Sequence, residues 1–207
     1  MTSEAVGGAA VDSVPGTGDQ LPIDELVASV AVTIPDFPEP GVLFRDLTPV
    51  FADPVAFRRV VDALTEPAEV DPRAAALSGP DGGPGFDVVA GIEARGFLLG
   101  AAVALDAGTG VVPVRKAGKL PREVVSASYD LEYGAATLEL HTDSIRPGQR
   151  VLVVDDVLAT GGTLQAAIAL VEQLGGVVTS VAVVVELLGL GGRERIAPHP
   201  VHALWRT

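Results

Sequence analysis

Val151-Leu152-Val153-Val154-Asp155-Asp156-Val157-Leu158-Ala159-Thr160-Gly161-Gly162-Thr163 is the stretch on which the fold of this chain turns. Four aliphatic residues run into two adjacent acids, then into a Thr-Gly-Gly-Thr turn, then into a helical pattern. A near-continuous aliphatic run of this kind fits a strand covered on both faces. The strand therefore ends in paired carboxylates beside a small-residue loop that opens a helix. Free N–H groups at a helix start, with its dipole, favour an anion such as phosphate. Adjacent carboxylates at the end of a buried strand repel unless sugar hydroxyls, a magnesium ion or a developing positive charge compensates them.

The flanking sequence repeats the same grammar. Leu26, Val27, Val30 and Ala31 give helical spacing from Asp24 to Thr33, and the proline-rich 34–41 segment is expected to be extended and turn-rich. Asp53-Pro54 reads as a helix N-cap with proline at the first position, leading a helix to about Leu64. Strands are expected at Phe86–Gly91, Gly110–Val114, Ala136–His141, Arg150–Asp155 and, as the last, Val177–Glu186. Helices are expected at Gly96–Leu105 and Thr163–Leu174, with Gly175-Gly176 ending the second. From about residue 115 to 130 no periodicity is evident, and a long loop carrying Arg115, Lys116, Lys119 and Arg122 is expected. Alternating strands and helices predict an α/β fold with a mostly parallel central sheet flanked by helices. Ligands in such folds bind at the carboxyl ends of strands. Three chemistry-bearing segments sit there: 93–96, 115–119 and 155–163.

Composition narrows the function. The 207 residues suit one domain, with residues 1–20 read as a disordered extension and 21–207 as the domain. A formal net charge of −13 argues against nucleic-acid binding, which needs a basic surface. It also requires any site for a polyanion to concentrate its few cations locally. There is no cysteine, and His199 and His202 fall in a proline-flanked tail, so no zinc site is expected. No apolar run reaches the roughly 18–20 residues of a membrane span. The N-terminus carries Glu4 and no basic region, so no signal peptide and a cytoplasmic location are expected.

The Val151–Thr163 segment resembles the phosphoribosyl-pyrophosphate signature of the type I phosphoribosyltransferases, in the variant of the members that use adenine. Four further segments match that family in order: Phe37–Asp46 (FPEPGVLFRD), Gly91–Phe97 (GIEARGF), Val114–Pro121 (VRKAGKLP) and Ser128–Gly134 (SYDLEYG). The resemblance runs from about residue 21 to the C-terminus. Residues 1–20 and the glycine-rich stretch near 78–85 have no counterpart in it.

The resemblance implies a type I phosphoribosyltransferase fold with a small N-terminal hood (about 21–50) and a flexible lid loop (about 115–130). It implies transfer of a phosphoribosyl group to adenine with magnesium, by a homodimer. Asp155 and Asp156 would hold the ribose hydroxyls, directly or through magnesium. Ala159, Thr160, Gly161, Gly162 and Thr163 would cradle the 5′-phosphate. Glu93, Ala94, Arg95 and Gly96 would form the pyrophosphate loop, with a cis peptide at Glu93–Ala94. Arg115, Lys116 and Lys119 would meet the pyrophosphate. Phe44 and Leu187 would sandwich the purine, with Arg45 and Arg95 near it. Glu132 would be the catalytic carboxylate, and Tyr133 would help close the lid. Two rivals remain open: the same chemistry on hypoxanthine, guanine, xanthine or orotate, and a regulator that senses the sugar donor on the same fold.

Overall fold

The computed structural model describes residues 21–37, 40–41, 43–65, 84–130 and 135–207. The 1–20 extension, residues 78–83 of the glycine-rich stretch, and Glu132 and Tyr133 lie outside the described residues.

The N-terminal part forms a small layer of its own. Helix α1 (Ile23–Val30) buries Leu26 and Val27. The helical spacing expected to reach Thr33 stops at Val30, because Val32-Thr33-Ile34 is β-branched and Ile34 precedes a proline. That run forms β1 (Val32–Pro35), antiparallel to β2 (Leu43–Asp46) in a two-stranded sheet. Helix α2 (Thr48–Ala52) starts where Asp46 Oδ1 accepts the Thr48 N–H at 2.9 Å. Helix α3 (Pro54–Thr65) starts as expected: Asp53 Oδ1 accepts the N–H groups of Val55 and Ala56 at 2.9 and 2.8 Å.

The rest of the chain builds β3 (Val88–Ile92), α4 (Arg95–Asp106), β4 (Gly110–Lys116), β5 (Val124–Asp130), β6 (Ala135–His141), β7 (Arg150–Leu158), α5 (Gly162–Gln173), β8 (Val177–Glu186), α6 (Gly192–Arg195) and β9 (Val201–Arg206). Its seven strands form one sheet in the order β5-β6-β4-β3-β7-β8-β9. Neighbours from β4 through β9 run parallel, while β6 is antiparallel to both β4 and β5. The mostly parallel α/β sheet flanked by helices is thus as expected.

Alternation along the strands feeds two cores. Val89, Leu152, Val154, Ala182 and Val184 face a cluster completed by α1, α3 and α4. Val88, Ala90, Val151, Val153, Val181 and Val183 face the other, completed by α5. Helix α4 lies close on β3: a Cβ on Gly91 would stand 2.7 Å from Gly96 O, and one on Gly100 3.1 Å from Gly91 Cα.

Three expectations need correction. The 115–130 segment is not a continuous loop, because Val124–Asp130 pairs with β6 from Val124↔His141 to Asp130↔Ala135. Its period of two was present in Val125, Ala127 and Tyr129, which pack on the second core, against exposed Ser126 and Ser128. Small residues made that alternation weak, and the strand is held by its partner's backbone. Val177–Glu186 is not the last strand. Val201–Arg206 is, and His202, 1% exposed, sits 3.0 Å from Ala63 O through Nε2 rather than in a tail. Finally, β7 continues three residues beyond Asp155, so the acid pair lies within the strand.

Candidate active site

β7 sits between β3 and β8, and its carboxyl-terminal half carries Asp155 and Asp156, 8% and 6% exposed. The Asp156 N–H donates to Asp155 Oδ1 at 2.9 Å. Burial, with the Asp156 charge beside it, pushes the Asp155 carboxyl well above the ordinary aspartate range, against the Asp156 N–H and the Arg95 charge. Arg95 Nε comes within 2.7 Å of Asp156 Oδ2. The N–H is not directed at that oxygen, which is buried and takes no aligned hydrogen bond. Opposite charge therefore approaches the pair from one side, while an acceptor remains unspent. Gly96 makes this approach possible: a Cβ there would meet Val154 O at 2.7 Å and Asp155 Oδ1 at 3.0 Å.

The loop after β7 turns through Gly161 at φ 81°, a left-handed value that favours glycine. Helix α5 begins at Gly162 with no side chain capping it, so its first N–H groups are left for solvent or a ligand. Asp155, Val157 and residues 159–164 line a small hollow that opens to solvent. Asp155 and the uncapped turn therefore share one cavity wall.

Across from it, the turn Glu93-Ala94 contains a cis peptide bond, at the position the resemblance implied. Ala94 precedes α4, which also starts without a side-chain cap. Glu93 draws in the basic segment: its carboxylate pairs with Lys119 Nζ, accepts the Lys116 N–H at 3.0 Å, and lies 3.4 Å from Arg115 Nε. Burial alone would raise the Glu93 pKa, but Lys119, the Lys116 N–H and Arg115 outweigh it and hold the carboxyl below its ordinary value. The Glu93 side chain is 10% exposed, against 33% for Arg115 and 45% for Lys119. The carboxylate thus anchors these cations from the buried side. The turn is further tied to β6 by Gly118 N–H to Glu139 Oε2 at 2.9 Å and Ala117 N–H to Thr137 O at 3.0 Å. Arg122, read as part of the same basic cluster, is committed elsewhere, to an ion pair with Asp143.

Phe44 joins this site through Arg95, whose guanidinium lies 5.7 Å from the ring centroid, and it packs edge-on to Phe37 at 5.2 Å. Arg95 therefore spans from Asp156 to Phe44. The Arg45 side chain does not join them. Successive residues of a strand face opposite ways, and Arg45 donates to Thr33 and to Thr207 Oγ1 (3.2 Å) and lies 5.1 Å from the Trp205 ring centroid. Leu187 follows β8 and donates its N–H to Leu158 O at 2.9 Å, which places it beside the end of β7. The sequence reading missed Phe37, Glu139 and a buried cluster of Glu186 with Arg193 and Arg206. For Phe37 the signal was an aromatic in the same segment as Phe44; the other contacts have no sequence spacing that announces them.

Known proteins resemble this chain in sequence and fold. The phosphoribosyl transferase domain family matches residues 73–200. The adenine phosphoribosyltransferase of Salinispora tropica is 58% identical over 180 residues, covering 87% of this chain and 89% of that protein. That of an Arthrobacter strain is 53% identical over 195 residues, covering 94% and 98%. The crystal structure of the Thermoanaerobacter pseudethanolicus adenine phosphoribosyltransferase superposes with a TM-score of 0.78 at 43% identity, covering 88% of this chain and 99% of that one. The Saccharomyces cerevisiae enzyme, solved with an imino-altritol bisphosphate and adenine, gives 0.79 at 38%, covering 88% and 98%. The chain therefore belongs to the phosphoribosyltransferases, and within them to the adenine phosphoribosyltransferase family.

Proposed function

We propose that this protein transfers the 5-phosphoribosyl group from phosphoribosyl pyrophosphate to adenine, giving AMP and pyrophosphate, as a cytoplasmic purine-salvage enzyme. The observation that carries the reading is the convergence of the buried Asp155–Asp156 pair, the uncapped 159–163 turn and Arg95 reaching to Phe44. Identity above 50% to several adenine phosphoribosyltransferases supports adenine over the other bases, and no feature of the site favours a regulator.

In this reading the 159–163 backbone holds the 5′-phosphate, and Asp155 and Asp156 hold the ribose hydroxyls. The exposed faces of Arg115, Lys116 and Lys119, with the 93–96 turn, receive the pyrophosphate. Phe44 and Leu187 flank the adenine, and Arg95 bridges base and sugar. The purine nitrogen forms a bond to the anomeric carbon as the bond from that carbon to the pyrophosphate oxygen breaks. The purine passes its proton to the Glu132 carboxylate, and positive charge on the sugar ring rises in between. The two carboxylates face that rising positive charge, and the cations face the leaving pyrophosphate. Glu132 is the catalytic carboxylate near the purine, and Tyr133 helps to exclude water that would otherwise hydrolyse the sugar.

Among the described residues no three acidic or histidine side chains group as a metal cage. An adjacent acid pair with an unspent buried oxygen instead fits magnesium carried mainly by substrate phosphates, which needs only one or two protein carboxylates. Bound there, magnesium would neutralise charge on the pyrophosphate. A homodimer fits the face of α4, where Leu98 and Leu105, one heptad apart, are 55% and 83% exposed.

The deciding assay incubates the protein with phosphoribosyl pyrophosphate, magnesium and each purine base in parallel. AMP from adenine alone is expected; IMP or GMP formed at similar rates would overturn the base assignment. Asp155→Asn should abolish donor binding by calorimetry while stabilising the ligand-free protein by roughly 0.5–2 kcal/mol, because it removes a buried like-charge repulsion. Asp155 holds its proton more tightly folded than unfolded, so the wild type loses stability as pH rises from 3.8 through the raised folded value. The advantage of the Asn variant in urea denaturation should therefore grow with pH. Glu132→Ala should lower kcat by ~10²-fold or more with donor affinity little changed; a near-wild-type kcat would remove Glu132 from the chemistry. Leu98→Glu with Leu105→Glu should leave a monomer in sedimentation equilibrium if α4 forms the dimer contact.

A further inference from the structure

The turn between β8 and α6 presses its backbone against the 159–163 turn more closely than side chains allow. A Cβ on Gly192 would stand 2.1 Å from Ala159 O and 2.7 Å from Leu158 Cδ1; one on Gly161 would stand 2.7 Å from Gly192 O. Real Cβ atoms do not approach that closely, so the two backbones interlock only as glycines. Leu187 N–H to Leu158 O, at 2.9 Å, ties the start of the same segment to the end of β7. Arg195 Nε to Gln165 Oε1, also 2.9 Å, ties its end to the first turns of α5.

This segment is itself pinned from below. Glu186, 4% exposed, takes Arg193 through Nε at 2.9 Å and Nη2 at 2.6 Å, and Arg206 Nε at 3.0 Å. Arg193 Nη1 also donates to Val201 O at 3.0 Å. A two-pronged guanidinium–carboxylate contact fixes direction as well as distance. The Glu186 carboxyl therefore fixes where Arg193 sits, and with it the adjoining Gly192.

We propose that Gly192 is a positioning residue for the 5′-phosphate, acting through Ala159 and Gly161, and that the Glu186–Arg193 pair holds it in register. This rests on the reading of 159–163 as the phosphate cradle. That cradle binds through backbone N–H groups, whose hydrogen bonds weaken steeply with misalignment. A loop of two glycines and two threonines has little packing of its own to set its shape, and the backbone at Gly192 supplies that shape. Because Leu187 opens the same segment, the mould of the phosphate cradle and one wall of the purine pocket belong to a single turn.

The test uses the full chain and two probes that report on different halves of the donor site. Gly192→Ala should weaken ribose 5-phosphate binding at least tenfold by calorimetry, while pyrophosphate affinity stays within twofold. In turnover, KM for phosphoribosyl pyrophosphate should rise by a similar factor, with KM for adenine unchanged and kcat changed much less. Gly189→Ala is the control: Gly189 has φ 83° but nothing within 4 Å of its Cβ position. That variant should lose some thermal stability through backbone strain yet keep wild-type ribose 5-phosphate affinity. Folded Gly192→Ala with wild-type affinity, or Gly189→Ala with an equal loss, would overturn the proposal. Should Gly192→Ala not fold, Arg193→Lys keeps the charge but loses the two-pronged contact. It should weaken ribose 5-phosphate at least threefold, and unchanged affinity there would be equally fatal. A wild type that binds no ribose 5-phosphate would instead sink the reading of the cradle, and the inference with it.

Discussion

Two adjacent carboxylates buried in an interior strand of the sheet are the constraint to which the rest of the structure answers. An ionised carboxylate out of water is expensive, and a second beside it more so. Asp155 and Asp156 are largely withdrawn from solvent, and Asp156 Oδ2 takes no hydrogen bond from the described residues. The neighbouring chain is arranged as a response. Gly96 lets the start of α4 come against the pair. Arg95 approaches Asp156 without a well-directed hydrogen bond. Helices α4 and α5 both begin uncapped nearby, with their positive ends on this side of the sheet. A core built only for stability would place Val or Ile at these positions. The carboxylates persist at a stability cost that bound substrate would relieve, which is how a preorganised site differs from a packed one.

How much of this could be read beforehand follows from what each element depends on. β3, β7 and β8 were legible because they are buried on both faces, and double burial leaves an aliphatic run in the sequence; β4 showed through its valines alone, since most of it is exposed. α3 was legible because its cap, Asp53-Pro54, is local. β5 and β9 were not. β5 alternates Val, Ala and Tyr against two serines, too faint a contrast to separate from a loop, and it is held by the backbone of β6. β9 follows a cis Ala197–Pro198 bond and a proline at 200, and reads as a tail until β8 is there to pair with it.

The site divides along the same line. Its candidate segments stood out because Gly and Thr suit a loop that approaches phosphate, and that composition is visible. Direction was not. Phe44 and Arg45 are neighbours in one short strand, so they face opposite ways, and only Phe44 meets Arg95. Deciding which of the two it would be required knowing that the C-terminal strand, with Trp205 and Thr207, lies on the other side. The contacts that hold the site from behind, Glu93 to the basic turn and Glu186 to Arg193, join residues whose spacing carries no periodic signal.

A chain with a net charge of −13 that binds a polyanion looks contradictory only when charge is averaged over the molecule. At physiological salt, exposed charges are screened beyond about 8 Å, so the acidic surface acts weakly on the cavity. What acts there is close by. Glu93 neutralises part of the charge of Arg115 and Lys119, and Asp156 does the same to Arg95. The positive field of the site therefore cannot come from these cations alone. Backbone supplies the remainder: the uncapped starts of α4 and α5 and the N–H groups of the Gly161–Gly162 turn are fixed dipoles that carry no counter-charge and need no reorganisation. A site built this way holds a phosphate by shape as much as by charge. Its affinity depends on keeping one short backbone turn in place, which is why the segment behind that turn matters as much as the residues that face the ligand.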